Sequence, residues 1–357
     1  MKLSVLTVAY PLAPVGPDAA GGSEQIMALI DRKLVREGHC SVMVASEGSV
    51  AEGALVPFRV PPGELTPEVH ARAQQDEYQA IERALGRWEF DIVHMHSLDF
   101  YRYLPPPGPP VLVTLHLPPD WYPGWIFSLP RPRTWLHCVS SSQQAACPPS
   151  SILLPYVANG VPIDRLRTHV RKRGYALALG RVCPEKGYHL ALDAAARAGL
   201  PVLLAGEVFR YRDHELYFCN EILPRLNGNG HRFLGPVPLA RKRRLLSAAR
   251  CLLVPSLVPE TSSLVAMEAL ACGTPVIAFP SGALCDIVEH GRTGYLVKDE
   301  KEMAEAIAAV DRIDPEECRL AAQRRFSAER MLQDYFDLYR RLARGRARRM
   351  EMMGHGS

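Results

Sequence analysis

The chain has no run of about 18 apolar residues, the length that a membrane-spanning helix needs, so no spanning helix is predicted. It also has no C-x-x-C pair, and its cysteines number nine, an odd count. A disulfide framework and a cysteine-based metal site are therefore both disfavoured. Cys138, Cys251 and Cys272 lie in apolar runs, which indicates buried free thiols in a reducing, cytoplasmic environment.

The amino-terminal residues also lack the pattern of a signal peptide. The stretch MKLSVLTVAY has one lysine and a short apolar run, and Pro11 and Pro14 follow it without a small-residue cleavage site. We interpret it as a first buried strand. No internal repeat and no low-complexity run interrupts the chain.

The composition is typical of a globular protein, with 47% apolar and 22% charged residues, and 357 residues suffice for two domains. The net charge of +4 is unevenly divided. Residues 1–165 contain 12 Lys+Arg and 16 Asp+Glu (−4), whereas residues 166–357 contain 30 and 22 (+8). The second half would therefore attract an anion, although a chance imbalance explains the same numbers equally well.

Short apolar runs alternate with helical patterns, which predicts successive βα units and parallel sheets covered on both faces. The polar, basic segment 159–174 interrupts this alternation. We therefore predict an amino-terminal domain of residues 1–165, a second domain of residues 166–326 and a helix over 327–345. The fold class is α/β, with two Rossmann-like doubly wound domains facing each other across a cleft. The predicted strands are LSVLTVA, SVMVA, DIVHMH, PVLVTLH and WLHCVS, then YALALG, PVLLAG, HRFLG, CLLVPS and PVIAF.

A turn with a cation at each end follows the strand YALALG. Arg181 comes directly after this strand, and Lys186 precedes the next helix. A helix N-terminus supplies unpaired N–H groups and a positive dipole end, to which the two side chains add charge. This combination is typical of a phosphate site, although a single Arg or Lys after a strand is more often a solvated turn residue.

The stretch PETSSLVAMEALACGTPVIAF contains two carboxylates with seven residues between them, Glu260 and Glu268. Ser262 and Ser263 are suited to cap the helix that follows them. Glu268 lies among apolar residues, so its burial is predicted, and a buried charge without a partner would be costly. Phosphate at this helix N-terminus would lie beside Glu260, and Glu268 would be placed to hold the hydroxyls of a ribose.

Blocks of sequence that carry a family resemblance occur in one order along the chain. They are AAGGSEQ, VTLH, NGVPID, GRVCPEKG, LLAGE, FLGPV, PETSSLVAMEALACGTPVIA and IVEHGRTGYLV. The chain thereby resembles the retaining glycosyltransferases of the GT-B fold, glycosyltransferase family 4, also called glycosyl transferases group 1. The resemblance implies transfer of a sugar from a nucleoside-diphosphate sugar to an acceptor, with retention of anomeric configuration.

The resemblance also implies roles for residues of the second half. Arg181 and Lys186 would clamp the diphosphate. Independently of the resemblance, Ser262 and Ser263 are predicted to bind it at the helix N-terminus. Glu260 would contact the donor sugar near the reaction centre. The remaining carboxylate, that of Glu268, would hold the ribose.

In the first half, the resemblance places His116 against the donor sugar. Gly22 would let a loop approach the diphosphate closely, and Gly21 would lie on the acceptor side. Trp121 and Tyr122 follow His116 and would form a stacking platform for an acceptor sugar, unless they anchor the loop instead. The acceptor is a glycan, a lipid-linked molecule or a small molecule.

Metals and cofactors are not predicted. Many transferases of another fold hold Mg²⁺ with an Asp-x-Asp pair, but no two aspartates here are two residues apart. Arg181 and Lys186 would take the place of the metal. His94 and His96 have strand spacing and point to one face, which leaves open a metal pair, a structural role or an acceptor-side role.

Two other functions keep the same predicted architecture: a sugar-nucleotide epimerase, and a sugar-nucleotide-binding protein without catalysis. Two basic clusters are also present: six arginines occupy residues 340–349, and ARKRR lies at 240–244. These clusters suggest peripheral contact with the inner face of a membrane, or only solvated chain. Nucleic-acid binding is disfavoured because no aromatic residues are interspersed among the arginines.

Overall fold

A computed structural model describes residues 2–19, 21–61, 63–168 and 170–354, with side chains described as far as residue 344. The chain divides into two compact units. Unit 1 comprises Met1–Ala158 together with Glu329–Ser357, and unit 2 comprises Asn159–Ala328. Among the described helices, none combines the length and the apolar character that crossing a membrane requires.

Unit 1 is built on a six-stranded parallel sheet. Its strands are β1 (Ser4–Val8), β2 (Cys40–Ser46), β3 (Ala54–Phe58), β4 (Ile92–Met95), β5 (Val111–Leu115) and β6 (Thr134–Cys138). Its first helices are α1 (Gly22–Arg36), α2 (Pro67–Arg87) and α3 (Ser141–Ala145). The strands lie in the order β3-β2-β1-β4-β5-β6, so the direction of winding reverses between β1 and β4. Sequence patterns do not predict β3, because Pro57 interrupts its apolar run; β3 is an edge strand, where proline is tolerated.

Unit 2 repeats this architecture. Its strands are β7 (Ala176–Leu179), β8 (Val202–Ala205), β9 (Arg232–Phe233), β10 (Cys251–Val254), β11 (Val276–Ala278) and β12 (Gly294–Leu296). Its helices are α4 (Ile163–Leu166), α5 (Tyr188–Arg197), α6 (Arg212–Tyr217), α7 (Leu239–Ala248), α8 (Leu264–Ala271), α9 (Leu284–Ile287), α10 (Glu300–Ala309) and α11 (Pro315–Arg325). The order β12-β11-β10-β7-β8-β9 is the same doubly wound topology, with its reversal between β7 and β10. The predicted α/β class with two Rossmann-like sheets is confirmed.

The border between the units lies at residue 159, seven residues before the predicted start of the second domain. The N–H of Val161 donates to the carbonyl of Phe326 at 2.8 Å, and the N–H of Ala328 donates back to Val161 at 2.9 Å. Leu166 is fully buried in the core of unit 2. These contacts attach the polar, basic segment to unit 2, although its composition alone is typical of a linker.

The last helix, α12 (Ala328–Gly354), belongs to unit 1 from its second residue onward. Tyr335 and Tyr339 are fully buried, and Ala343 is 7% exposed. Packing therefore extends to the beginning of the arginine cluster at 340–349. The side chains after residue 344 lie outside the described residues, so membrane contact through this cluster stays a prediction.

Candidate functional site

The candidate site of unit 2 lies where the winding of its sheet reverses. β7 and β10 are neighbours, although β8 and β9 separate them in sequence. The loop after β7 carries Arg181 and Lys186, and the loop after β10 carries Ser256 and Glu260. In doubly wound sheets, ligands bind outside the carboxyl ends of the strands at this reversal. The fold therefore brings the predicted cationic turn and the first predicted carboxylate to one edge.

Close packing at Gly187 brings the two loops together. Gly187 has φ +62°, and a Cβ there would lie 2.3 Å from the carbonyl oxygen of Pro255. A side chain at this position is thus excluded both by conformation and by space. The N–H of Leu257 donates to the carbonyl of Glu185 at 2.8 Å, which fixes the same approach. The result is an ion pair of 2.6 Å between Lys186 Nζ and Glu260 Oε1.

Glu260 is a buried, ionised carboxylate. Its side chain is 9% exposed, and Oε1 also accepts a short hydrogen bond from Ser256 Oγ. Burial acts to raise the pKa of Glu260, but Lys186, Ser256 and the charge of Arg181 outweigh it and hold this pKa below its ordinary value. Ser256 has no recognisable signal in the sequence, because its role depends on the loop geometry.

Arg181 and Lys186 have different surroundings. Lys186 is paired with Glu260, whereas the guanidinium of Arg181 forms no ion pair with any residue that the structure describes. Arg181 is only partly buried, and its charge acts on Glu260 from nearby. A guanidinium without a carboxylate partner beside a helix N-terminus is suited to bind phosphate oxygens.

Glu268 lies inside α8 and is 3% exposed, so its predicted burial is confirmed. Its Oε1 forms an ion pair of 2.5 Å with Nζ of Lys242, which is 8% exposed on α7. Lys242 belongs to the cluster ARKRR, whose composition indicates a surface, so the sequence does not reveal the pairing. One oxygen of Glu268 is therefore occupied by Lys242, and contact of the other with a ribose stays a prediction.

The N-terminus of α8 has polar groups available to an anion. Ser263 is the N-cap, as predicted, but its side chain makes no capping hydrogen bond. Ser262 Oγ is buried, and none of the described residues provides it with a hydrogen-bond partner. First-turn N–H groups have no partner within a helix, so two hydroxyls and several amides that could bind an anion follow Glu260 directly in the sequence.

In unit 1, His116 directly follows β5. Its N–H and that of Leu117 donate to the hydroxyl of Tyr122 at 3.1 and 3.3 Å. Tyr122 is 5% exposed, whereas Trp121 is 42% exposed. A ring enclosed in the core is not accessible to a sugar, so Tyr122 anchors the loop, which is the alternative to a stacking platform. Only Trp121 of this pair has a free face for stacking.

His116 is tied to the two histidines of the DIVHMH run. Its Nε2 lies 2.9 Å from His96 Nδ1, and the two rings stack at 5.2 Å. The rings of His94 and His96 are 3.9 Å apart, which agrees with the predicted shared face. Both nitrogens of His94 lie within hydrogen-bond distance of hydroxyls, those of Tyr339 and Thr114. This arrangement matches the structural alternative for the pair.

Gly21 is the N-cap of α1, with φ −85°, and Gly22 is the first residue of this helix. The backbone at Gly21 is thus in an ordinary extended conformation. The three heavy atoms nearest to a Cβ there would belong to the carboxylate of Glu24, which is the movable end of a side chain. Phosphate contact at this pair stays a prediction, and Glu24 would have to move away from Gly21 to permit it.

One group of side chains among the described residues could hold a metal ion. A ligand atom from each of Cys183, Glu185 and His214 lies within 4.8 Å of the others, beside the turn that carries Arg181. His214 Nδ1 is buried without a hydrogen-bond partner among the described residues. Thiolate, carboxylate and imidazole are ligands that zinc accepts. However, burial and the nearby Glu185 raise the pKa of Cys183 to about 11, so its ground state is a thiol.

Comparison with known proteins finds a family match that lies almost entirely within unit 2. Residues 165–325 match the family model described as glycosyl transferases group 1. A phosphatidyl-myo-inositol mannosyltransferase of Mycobacterium leprae is 28% identical over 341 residues, covering 85% of this chain and 78% of the relative. A D-inositol 3-phosphate glycosyltransferase of a Nocardioides species is 40% identical over 117 residues. That match spans 31% of this chain and only 25% of the relative.

A solved structure is similar to this chain over nearly its whole length. AviGT4, a glycosyltransferase involved in avilamycin A biosynthesis, superimposes with a TM-score of 0.70 at 26% identity. The similarity covers 96% of this chain and 98% of AviGT4. It therefore includes both units and extends well beyond residues 165–325.

Proposed function

The chain belongs to the group 1 glycosyltransferases of the GT-B fold, and on this basis we propose that it transfers a sugar from a nucleoside-diphosphate sugar to an acceptor hydroxyl with retention of configuration. The observation that carries the proposal is the Lys186–Glu260 ion pair at the reversal of the unit 2 sheet. It places a cation and a carboxylate beside Arg181, which has no ion-pair partner among the described residues. A site that binds a diphosphate next to a sugar needs these two kinds of charge.

The proposed chemistry follows from where charge develops. As the bond between the sugar and the diphosphate breaks, negative charge accumulates on the phosphate oxygens. Arg181, Lys186 and the N-terminus of α8 carry positive potential before the reaction begins, so they stabilise this charge without rearranging. Glu260 would contact the donor sugar near the reaction centre, and His116 would contact it from unit 1.

The acceptor is proposed from the relatives. Both sequence relatives described above act, by name, on inositol compounds: an inositol phosphate or a phosphatidylinositol. We propose an inositol phosphate and phosphatidylinositol as the first acceptors to test. The donor base and sugar are left open, since no residue described above distinguishes uridine from guanosine or mannose from another hexose.

The test is a panel of uridine- and guanosine-diphosphate sugars, each incubated with and without the two acceptors. We expect nucleoside diphosphate to be released with one donor, and faster with an acceptor that becomes glycosylated at an unchanged anomeric configuration. An isomerised donor without released diphosphate would instead identify an epimerase. Binding of a donor without any reaction would indicate a binding protein.

The same assay tests metal independence. Activity is expected to persist in excess chelator, because the cations of Arg181 and Lys186 take the role that a metal has in other transferases. Dialysis against chelator, followed by metal analysis of the protein, controls for a tightly bound ion. Loss of activity that Mg²⁺ or Zn²⁺ restores would contradict the prediction and would direct attention to Cys183, Glu185 and His214.

A further inference from the structure

Four histidines of unit 1 form a continuous hydrogen-bonded chain that the donor site of unit 2 does not explain. We call it the histidine relay: His116, His96, His94 and, through the hydroxyl of Thr114, His137. Three of the rings are almost completely enclosed, with exposures of 0% for His94 and His137 and 2% for His96. Imidazoles in such surroundings need partners for their nitrogens, because an unsatisfied buried polar atom is costly.

The distances give a partner to each link of the relay. His116 Nε2 lies 2.9 Å from His96 Nδ1, and His96 Nε2 lies 3.2 Å from His94 Nδ1. Thr114 Oγ1 lies 2.7 Å from both His94 Nε2 and His137 Nε2. The relay ends at a backbone carbonyl, because His137 Nδ1 lies 3.0 Å from the oxygen of Cys138.

All four rings are neutral near physiological pH. Burial, with some repulsion between neighbouring imidazolium charges, lowers the pKa of His94 and His96 well below its ordinary value. Burial likewise lowers the pKa of His116 to about 3 and that of His137 to about 4. A neutral imidazole has one N–H and one lone pair, so each ring of the relay can donate from only one nitrogen.

The Cys138 carbonyl determines the direction of hydrogen-bond donation at one end of the histidine relay. A carbonyl oxygen only accepts, so His137 carries its proton on Nδ1 and a lone pair on Nε2. Thr114 must then donate its single proton to His137 Nε2. Its oxygen is left to accept from His94, which therefore carries its proton on Nε2 and a lone pair on Nδ1.

The same reasoning assigns the hydrogen-bond donors and acceptors from His94 to His116. The hydroxyl of Tyr339, 2.6 Å away, donates to the lone pair of His94 Nδ1. His96 Nε2 faces the same atom, and two lone pairs opposed at 3.2 Å would repel each other. His96 therefore has its proton on Nε2 and accepts at Nδ1, so that His116 must donate from Nε2.

We infer that the histidine relay fixes His116 as the Nε2–H tautomer, so that Nδ1 of His116 is a hydrogen-bond acceptor and not a donor. The expected effect of this tautomer on catalysis rests on the proposed function, in which His116 is a catalytic residue. His96, His94, Thr114 and His137 are positioning residues that act through His116. Tyr339 connects the relay to α12, 245 positions away from His94 in the chain.

The first test reads the tautomers in the unmodified protein. In the full-length protein with ¹⁵N-labelled histidine, long-range ¹H–¹⁵N correlation spectra distinguish the two tautomers of each ring, and single His→Asn variants serve only to assign the signals. The relay predicts Nε2–H for His116, His96 and His94 but Nδ1–H for His137. His116 protonated on Nδ1, or His137 protonated on Nε2, would overturn the relay whether or not the protein transfers a sugar.

The second test uses Thr114. Thr114→Val keeps the shape of the side chain but removes the hydroxyl that both neighbours need, whereas Thr114→Ser retains it. We expect Thr114→Val to give mixed tautomers at His116 and to lower kcat roughly tenfold, the lower end of the effect seen when a hydrogen-bond partner of a metal-bound histidine is removed. The Kd for nucleoside diphosphate should not change, and Thr114→Ser should restore both the tautomer and the rate.

Thr134→Val serves as the matched control, because Thr134 is a buried threonine of the same sheet outside the relay. Its rate and its tautomers are expected to equal those of the unmodified protein. If Thr114→Val alters the tautomer of His116 but not kcat, or if Thr134→Val is equally impaired, the positioning role is refuted. Failure of the unmodified protein to transfer any sugar would instead refute the proposed function and leave the tautomer result to be judged separately.

Discussion

Replacing Glu260 with glutamine is expected to lower kcat by about 100-fold or more, the effect of removing one preorganised electrostatic group at a reaction centre. Glutamine has the shape of glutamate but no charge, so it would leave Lys186 without its 2.6 Å partner. Lys186 should remain free to bind phosphate, and the Kd for nucleoside diphosphate should change much less than kcat. Initial rates with the donor found in the panel, together with calorimetry, measure the two effects separately.

Glu300→Gln is the matched control for this substitution. Glu300 also pairs with a basic residue of unit 2, Arg197, but that pair lies at the surface, where ion pairs contribute little. We expect Glu300→Gln to retain its rate. A Glu260→Gln variant with normal kcat but much weaker nucleotide binding would mean that Glu260 serves the nucleotide and not the sugar.

Replacing Lys242 with methionine is expected to lower the free energy of unfolding by about 3 kcal/mol or more, the usual result of removing one partner of a buried ion pair. Glu268 would remain in α8 at 3% exposure, without the cation that lies 2.5 Å from it. Methionine preserves most of the volume of lysine, so lost packing contributes little. Chemical denaturation, analysed with a common m-value, measures the difference.

A second substitution separates charge from packing. The double variant Lys242→Met, Glu268→Leu replaces the pair with apolar side chains and is expected to recover most of the lost stability. It should nevertheless bind nucleoside diphosphate more weakly, if Glu268 holds the ribose. Equal stability of Lys242→Met and the unmodified protein would show that the pair is solvated and would remove the argument for a buried charge.

The alternation of apolar runs and helical patterns was sufficient to predict both sheets, because buried parallel strands have few alternatives in sequence. Two edge strands escape prediction: β3, whose edge position tolerates Pro57, and β12, which is only three residues long. The border at 159 is the first residue of the polar segment 159–174, and backbone hydrogen bonds of Val161, not composition, attach that segment to unit 2. These features depend on which strand lies at the edge of a sheet and on which unit a connecting segment packs against. Local sequence does not encode either of them.

The candidate site likewise contains some residues that the sequence predicts and others that it does not. Arg181, Lys186 and Glu260 could be predicted, because each follows a strand or precedes a helix at a recognisable spacing. Lys242 could not be predicted as the partner of Glu268, because a lysine within ARKRR is typical of an exposed surface. In the structure, Lys242 lies on α7 and forms an ion pair with Glu268. The relay shows the same limit: strand spacing predicts the shared face of His94 and His96, but not partners that are distant in sequence.

Isothermal titration of nucleoside diphosphate into the Arg181→Ala variant tests the central claim, that the cationic turn after β7 binds the diphosphate. A charge-assisted hydrogen bond contributes about 1.5–3 kcal/mol, so the Kd is expected to rise roughly tenfold or more. Arg197→Ala removes an exposed arginine of the same unit, which pairs with the surface residue Glu300, and should leave the Kd unchanged. Equal Kd values for Arg181→Ala and the unmodified protein would contradict the account.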